Sequence, residues 1–210
     1  MADEKDRARS QWREHPTPNR IIDATERLLE DTDIRSISVA DIMAAADVAR
    51  GTFYLWFDNK FDLIGKAYVR ASADIFTAGE RWVQRSSDDG DPLQSLEELF
   101  GASVESWIRH GPVLRAVQDT WRTEPAVAAH WLPGLRWART IVARKVAAAN
   151  GRDRQTTADR TVAGALVNLS EQTLYQASIG DEFGLDSGVQ KTVAAIWHQA
   201  IYEMPGRTNR

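Results

Sequence analysis

No cysteine occurs among the 210 residues. That excludes disulfides, thiolate metal sites, iron–sulfur clusters and cysteine nucleophiles, and it fits a reducing compartment. No apolar run approaches the roughly 20 residues that cross a bilayer. Residues 1–19 are charged and lack the apolar segment of a signal peptide, so a cytoplasmic chain with no membrane partner is expected. Histidine is sparse too. His15, His110, His130 and His198 are scattered, with no His-x-x-x-His or Glu-x-x-His pair, and no metal is expected. The acidic run Asp88-Asp89-Gly90-Asp91 lacks the spaced acceptors and distal glutamate of a calcium loop and reads as a turn. No phosphate-cradling glycine pattern and no serine elbow is present, so neither a catalytic residue nor a cofactor is expected.

An excess of positive charge is also missing. Lys and Arg number 26 against 30 Asp and Glu, a net charge of −4. Residues 1–70 hold 11 basic and 13 acidic side chains. Only the stretch from Lys5 to Arg20 leans positive, with Arg7, Arg9 and Arg13 set against Asp6 and Glu14. Any contact with nucleic acid must therefore rest on local placement of charge.

What remains is the composition of a soluble globular chain, 43% hydrophobic and 27% charged. Its apolar residues recur at helical spacing almost throughout, and strand alternation appears nowhere. The spacing predicts an all-α fold of about nine helices, with residues 1–19 as a flexible arm, 20–66 as a compact front domain and 67–210 as a larger rear domain. A helix is expected from Arg20 to Asp31. Ser38 then reads as an N-cap with Asp41 in the capping-box position, opening a short helix that ends near Ala46. Asp47 sits where the chain turns and tolerates a left-handed backbone. A third short helix follows over about Ala49–Phe57. Asn59 to about Arg85 reads as one long helix belonging to both domains. Helices are then expected at about Leu93–Arg109, Pro112–Trp121, Pro125–Ala149, Thr157–Ser178 and Asp186–Glu203.

Two short amphipathic helices joined by a tight turn, after a supporting helix, form a helix-turn-helix. The second must be short and exposed on one side to enter a major groove about 12 Å wide. Phe53 and Phe57 lie four apart and, with Val48, are expected to pin it to the first two helices. That leaves Arg50, Thr52, Tyr54 and Trp56 for phosphates and base edges. Gly51, with no side chain, allows close approach to DNA.

The stretch Ile37-Ser38-Val39-Ala40-Asp41-Ile42, followed by Ala46-Asp47-Val48-Ala49-Arg50-Gly51-Thr52-Phe53-Tyr54-Leu55-Trp56-Phe57-Asp58-Asn59-Lys60, resembles the N-terminal motif of TetR-family transcriptional regulators. The resemblance covers about residues 20–66. It implies that Tyr54 and Lys60 hold phosphates while the first residues of the third helix reach bases. Departures are Asp47 in place of the usual turn glycine and Ala49 where Ser or Thr is common. The expected DNA-contacting set is Ser38, Arg50, Gly51, Thr52, Tyr54, Trp56 and Lys60.

Six tryptophans follow residue 71, at 82, 107, 121, 131, 137 and 197. An aromatic-lined space between helices suits a largely apolar small molecule. The rear half resembles the branch typified by the ethionamide-resistance regulator, through Ala165-Leu166, Glu171-Gln172-Thr173-Leu174-Tyr175, Ile196-Trp197 and Ile201-Tyr202. This implies a pocket at Trp107, Trp131, Trp137 and Trp197, to which Trp121 is added. Two amide-bearing pocket positions fall on Val167 and Ser170, with Asn168 one residue away. The penultimate helix carries two adjacent apolar stripes, more than one neighbour needs. The last helix continues them. Val162, Leu166, Leu169, Val189, Val193, Ile196 and Ala200 are the expected seam of a homodimer, which the resemblance implies as a four-helix bundle. The expected function is a homodimeric repressor that binds a palindromic double-stranded operator and is released by a small apolar or amphipathic effector. An effector-independent regulator or an activator would share the fold. An all-helical ligand carrier or enzyme is the remaining alternative.

Overall fold

The computed structural model describes residues 12–85, 90–180 and 184–203. Among these residues there are nine α-helices and no strand, and no helix is long and apolar enough to cross a membrane. Lys5, Arg7, Arg9 and the turn at 86–89 lie outside the described residues.

Helix α1, Pro16–Leu28, begins four residues earlier than the apolar pattern suggests. Prolines fit a first turn because its N–H groups have no helical partner, and the His15 ring accepts from the Thr17 amide at 3.2 Å. Helix α2, Val39–Ala45, has the expected capping box. The Asp41 amide donates to the Ser38 hydroxyl, and the Ser38 amide donates to the Asp41 carboxylate. These bonds from the Ser38 hydroxyl and amide hold the Asp41 carboxyl below its ordinary value. The turn after α2 passes through Asp47 at φ 51, the left-handed conformation foreseen there. The Arg20 guanidinium fastens it by donating to the carbonyls of Ala46 and Asp47 at 2.9 and 3.1 Å. A 3-10 turn at Arg50–Thr52 leads into α3, Phe53–Trp56.

The single helix expected from Asn59 to Arg85 is two. Helix α4 spans Lys60–Ala71 and α5 spans Ala73–Gln84. Between them Ser72 sits at φ −90, ψ 0, in the sparsely populated bridge region. The apolar pattern runs through the break without marking it. Conversely, the two helices expected on either side of Gly111 run together as α6, Pro92–Thr120, with a non-helical kink at His110. Pro112 explains the kink, since it has no N–H for the Ile108 carbonyl. Helix α7, Pro125–Ala149, carries Pro133 inside it. Helix α8, Thr157–Ile179, opens on a Thr156–Asp159 capping box and closes on Gly180 at φ 82, where a side chain would be strained. Helix α9, Ser187–His198, is capped by Asp186 and passes into a π-turn at Gln199–Glu203.

The chain forms two compact units. Among the described residues, one is made of those within 1–71 and 110–131, the other of those within 72–109 and 132–210. The first unit thus takes in the stretch after the His110 kink as well as the front helices. Its core centres on Ile21, Ile22, Ile42, Phe53, Phe57, Leu63 and Ile64, none of them exposed.

Candidate nucleic-acid interface

Helix α3 has four residues, too few to persist in water without support. Its inner side supplies that support. Phe53 and Phe57 are fully buried, with ring centres 5.3 Å apart. Trp56 is only 7% exposed and lies against the His15 ring at 4.4 Å. The structure therefore places Trp56 inside the unit and not on the groove side. The reason is helical geometry. Residues 53, 56 and 57 lie on one side, so 54 and 55 fall on the other, while Arg50 and Gly51 stand at the N-terminal end in the 3-10 turn.

That outer face is open. Arg50 and Gly51 are exposed, Tyr54 is 49% and Leu55 53% exposed, and nothing approaches the Gly51 α-carbon within 4 Å of an added Cβ. A guanidinium, a bare backbone and a phenol thus stand together, while Thr52 is half-buried beside them. Leu55 was not among the residues the sequence pointed to, since an exposed leucine carries no signal of its own. Its methyls suit the thymine methyl in a major groove.

Ser38 and Lys60 are placed in roles of their own. The Ser38 hydroxyl serves the cap of α2, donating to Asp41 at 2.6 Å. The Lys60 ammonium donates to the Arg35 and Ile37 carbonyls, both at 2.8 Å, and so fixes the loop before α2.

Behind the face, α4 carries a buried charged cluster. Burial alone would raise the Asp62 pKa. Hydrogen bonds from His130, the Asp58 amide and Lys66, with the charge of Lys66, outweigh it and hold the carboxyl at about 2 against an ordinary 3.8. A carboxyl depressed by folding contributes stability above its ordinary value, and that contribution fades as the pH falls from about 4 toward about 2. Thermal melts across this range are expected to show a loss of stability that is flattened in Asp62→Asn.

The residues expected around a ligand divide between the two units. Trp121 and Trp131 belong to the first, where Trp131 packs edge-on against Tyr68 at 5.0 Å. Trp107, Trp137, Val167, Ser170 and Trp197 belong to the second. There Trp107 meets Tyr175 and Trp137 meets Phe76. The Trp197 indole donates to the Ser170 hydroxyl at 2.8 Å, and that hydroxyl donates to the Leu166 carbonyl. Ser170 is therefore a core partner of Trp197. Asn168 is exposed and accepts from Arg139. A cavity of about 220 Å³ in the second unit is lined by none of these residues. Its walls are Asp74, Arg81, Arg85, Glu98 and Glu105 over Trp82 and Leu99.

Of the residues expected at a dimer seam, Leu166, Val189, Val193 and Ala200 are buried within the second unit's own core. Leu169 and Ile196 are 36% and 37% exposed, and Val162 is half-buried. On α8 the stripe of Ala163, Val167, Ser170 and Leu174 is buried throughout, whereas the stripe of Val162, Leu166 and Leu169 has Leu166 inside and Leu169 outside.

Residues 21–67 match the family described as bacterial regulatory proteins of the tetR family, and residues 96–203 match the C-terminal domain of the transcriptional regulator EthR. The chain is 27% identical over 189 residues to the HTH-type transcriptional regulator EthR of Mycobacterium tuberculosis, covering 87% of this chain and 85% of that one. In fold it is similar to a tetR-family transcriptional regulator from Streptomyces coelicolor, with a TM-score of 0.68 at 17% identity over 88% and 79% of the two chains. It is also similar to SmeT, the repressor of a multidrug efflux pump in Stenotrophomonas maltophilia. There the TM-score is 0.67 at 18% identity, over 93% and 97%.

Proposed function

We propose, on the footing that this chain belongs to the TetR family of bacterial transcriptional regulators and carries an EthR-type C-terminal domain, that it is a cytoplasmic homodimeric repressor released from a palindromic operator by a small ligand. Residues 20–66 are the reading head and residues 67–210 the ligand-binding and dimerising domain. The observation that carries the reading is the exposed side of α3 and of the 3-10 turn leading into it, where Arg50 and Gly51 of the turn and Tyr54 and Leu55 of the helix stand open while Phe53, Trp56 and Phe57 are buried.

The weak overall charge is tolerable because a twofold pair presents two heads, each needing few contacts, one turn of B-DNA or a multiple apart. Incubating the protein with a randomised duplex pool should enrich an inverted repeat with half-sites about 10–10.5 bp apart, or a multiple. Recovery of unrelated sequences would contradict operator reading.

Leu169 and Ile196, exposed and apolar on α8 and α9, support a twofold seam. The double variant Leu169→Glu, Ile196→Glu is expected to sediment as a monomer and to lose operator binding, since like charges would face each other across the axis. Sedimentation velocity unchanged from wild type would place the seam elsewhere.

Three buried groups of the first unit would suit an effector that is largely apolar but carries an acceptor oxygen. The indole N–H groups of Trp121 and Trp131 and the Gln118 amide are buried without a hydrogen-bond partner, and such groups call for an explanation. A ligand favouring the DNA-free state shifts the population by its differential affinity. A coupling of about 1–3 kcal/mol changes operator affinity roughly 5- to 150-fold.

A further inference from the structure

The carbonyl of Trp56 ends the four-residue helix that presents the reading face, and a helix end leaves such carbonyls without an internal partner. The Lys66 ammonium fills this one, donating to it at 2.7 Å from a site 8% exposed. Lys66 also pairs with Asp62 Oδ2 at 3.0 Å, the oxygen that accepts the Asp58 amide at the same distance. The other carboxylate oxygen, Oδ1, lies 3.0 Å from His130 Nε2. A carboxylate held ionised can only accept, so the His130 Nε2 carries the proton. The ring is wedged directly on α4. A Cβ on Gly65 would lie 2.2 Å from His130 Cδ2, so no other residue at position 65 leaves the imidazole where it is. His130 belongs to α7, well over 70 residues along the chain from α3, yet lies in the same compact unit.

We infer that His130 is a positioning residue for DNA reading, acting through Asp62 and Lys66 on the end of α3. The chain of bonds has one weak point at each step. Without the imidazole N–H, Asp62 Oδ1 is buried with an unmet charge, and Asp62 draws Lys66 away from the Trp56 carbonyl. Helix α3 then loses its only charged anchor at that end among the described contacts, and Arg50 and Tyr54 lose their fixed stance. This rests on the DNA-reading proposal, and the test separates the two.

Two variants discriminate a donor from mere bulk. His130→Gln keeps an N–H near the Nε2 position, whereas His130→Met fills similar space without one. The probe is the duplex enriched from the randomised pool by the wild-type protein, and the second readout is amide hydrogen exchange over residues 53–57. The Met variant is expected to bind about tenfold or more weakly and the Gln variant within about twofold of wild type, in line with loss of a hydrogen bond to a charged group. Exchange over 53–57 should quicken in the Met variant alone, with α8 unchanged. Asp62→Asn should quicken the same amides, which keeps the test open if the Met variant folds poorly. Wild-type affinity and exchange in His130→Met would overturn the assignment, as would equal defects in Met and Gln. If the pool yields no duplex, DNA reading fails as a proposal, and exchange over 53–57 still decides positioning by itself.

Discussion

Phe53→Ala is expected to cost about 3–5 kcal/mol of stability, the range for emptying a buried aromatic site. Phe53 is wholly buried, packs on Phe57 at 5.3 Å and meets the Tyr54 ring edge-on at the same distance. Its removal leaves a cavity beneath a helix of only four residues. The first unit should therefore lose its reading helix at temperatures where the second still holds its aromatic core of Trp82, Phe100 and Trp197. Leu55→Ala is the control. Its side chain is 53% exposed, so denaturant midpoints should correspond to a change within about 0.5 kcal/mol. Equal losses in the two variants, measured by circular dichroism in urea, would mean that α3 is packed the other way round.

Arg50→Ala is expected to remove about 1–3 kcal/mol of discrimination between the selected duplex and scrambled ones, which is what a good base-edge pair supplies. Arg50 is exposed at the start of the reading turn, next to Gly51, where nothing stands between backbone and groove. Tyr54→Phe should act differently. Loss of one phenolic hydroxyl weakens binding to all duplexes alike and leaves the preference in place. Titrations of both variants against selected and scrambled duplexes distinguish the two effects. A uniform loss for Arg50→Ala, or a changed preference for Tyr54→Phe, would exchange the roles. Lys60→Ala gives a mixed outcome by the same reasoning. Its ammonium fastens the Arg35 and Ile37 carbonyls, so some of any lost binding will reflect a loosened loop.

Much of the first unit was legible because its signals are local. The Ser38–Asp41 box and the left-handed Asp47 each depend on residues a few positions apart, and both occur as read. Trp56 departs from the expectation because residues 50, 52, 54 and 56 alternate, whereas a helix returns to the same face after three and four, which sets Trp56 beside Phe53. Long-range pairings left no trace in the pattern. His110 reaches Glu26 and His130 reaches Asp62, 84 and 68 positions apart, and these pairs help bind residues 110–131 to the front helices. Two scattered histidines gave no hint of that. Neither did the break at Ser72, since apolar spacing continues across it. On α8 the two apolar stripes were visible, but which faced inward was not. Only packing assigned Leu166 to the core and left Leu169, of the same stripe, outside.

In the proposed complex the exposed side of α3 lies against DNA bases. The most direct measurement is a map of backbone amide chemical shifts as the selected duplex is added to the labelled protein. The largest changes are expected at residues 49–57 and in the first turn of α4, with Arg50, Gly51, Tyr54 and Leu55 foremost. Changes confined to α8 and α9, with residues 49–57 unmoved at saturation, would contradict it.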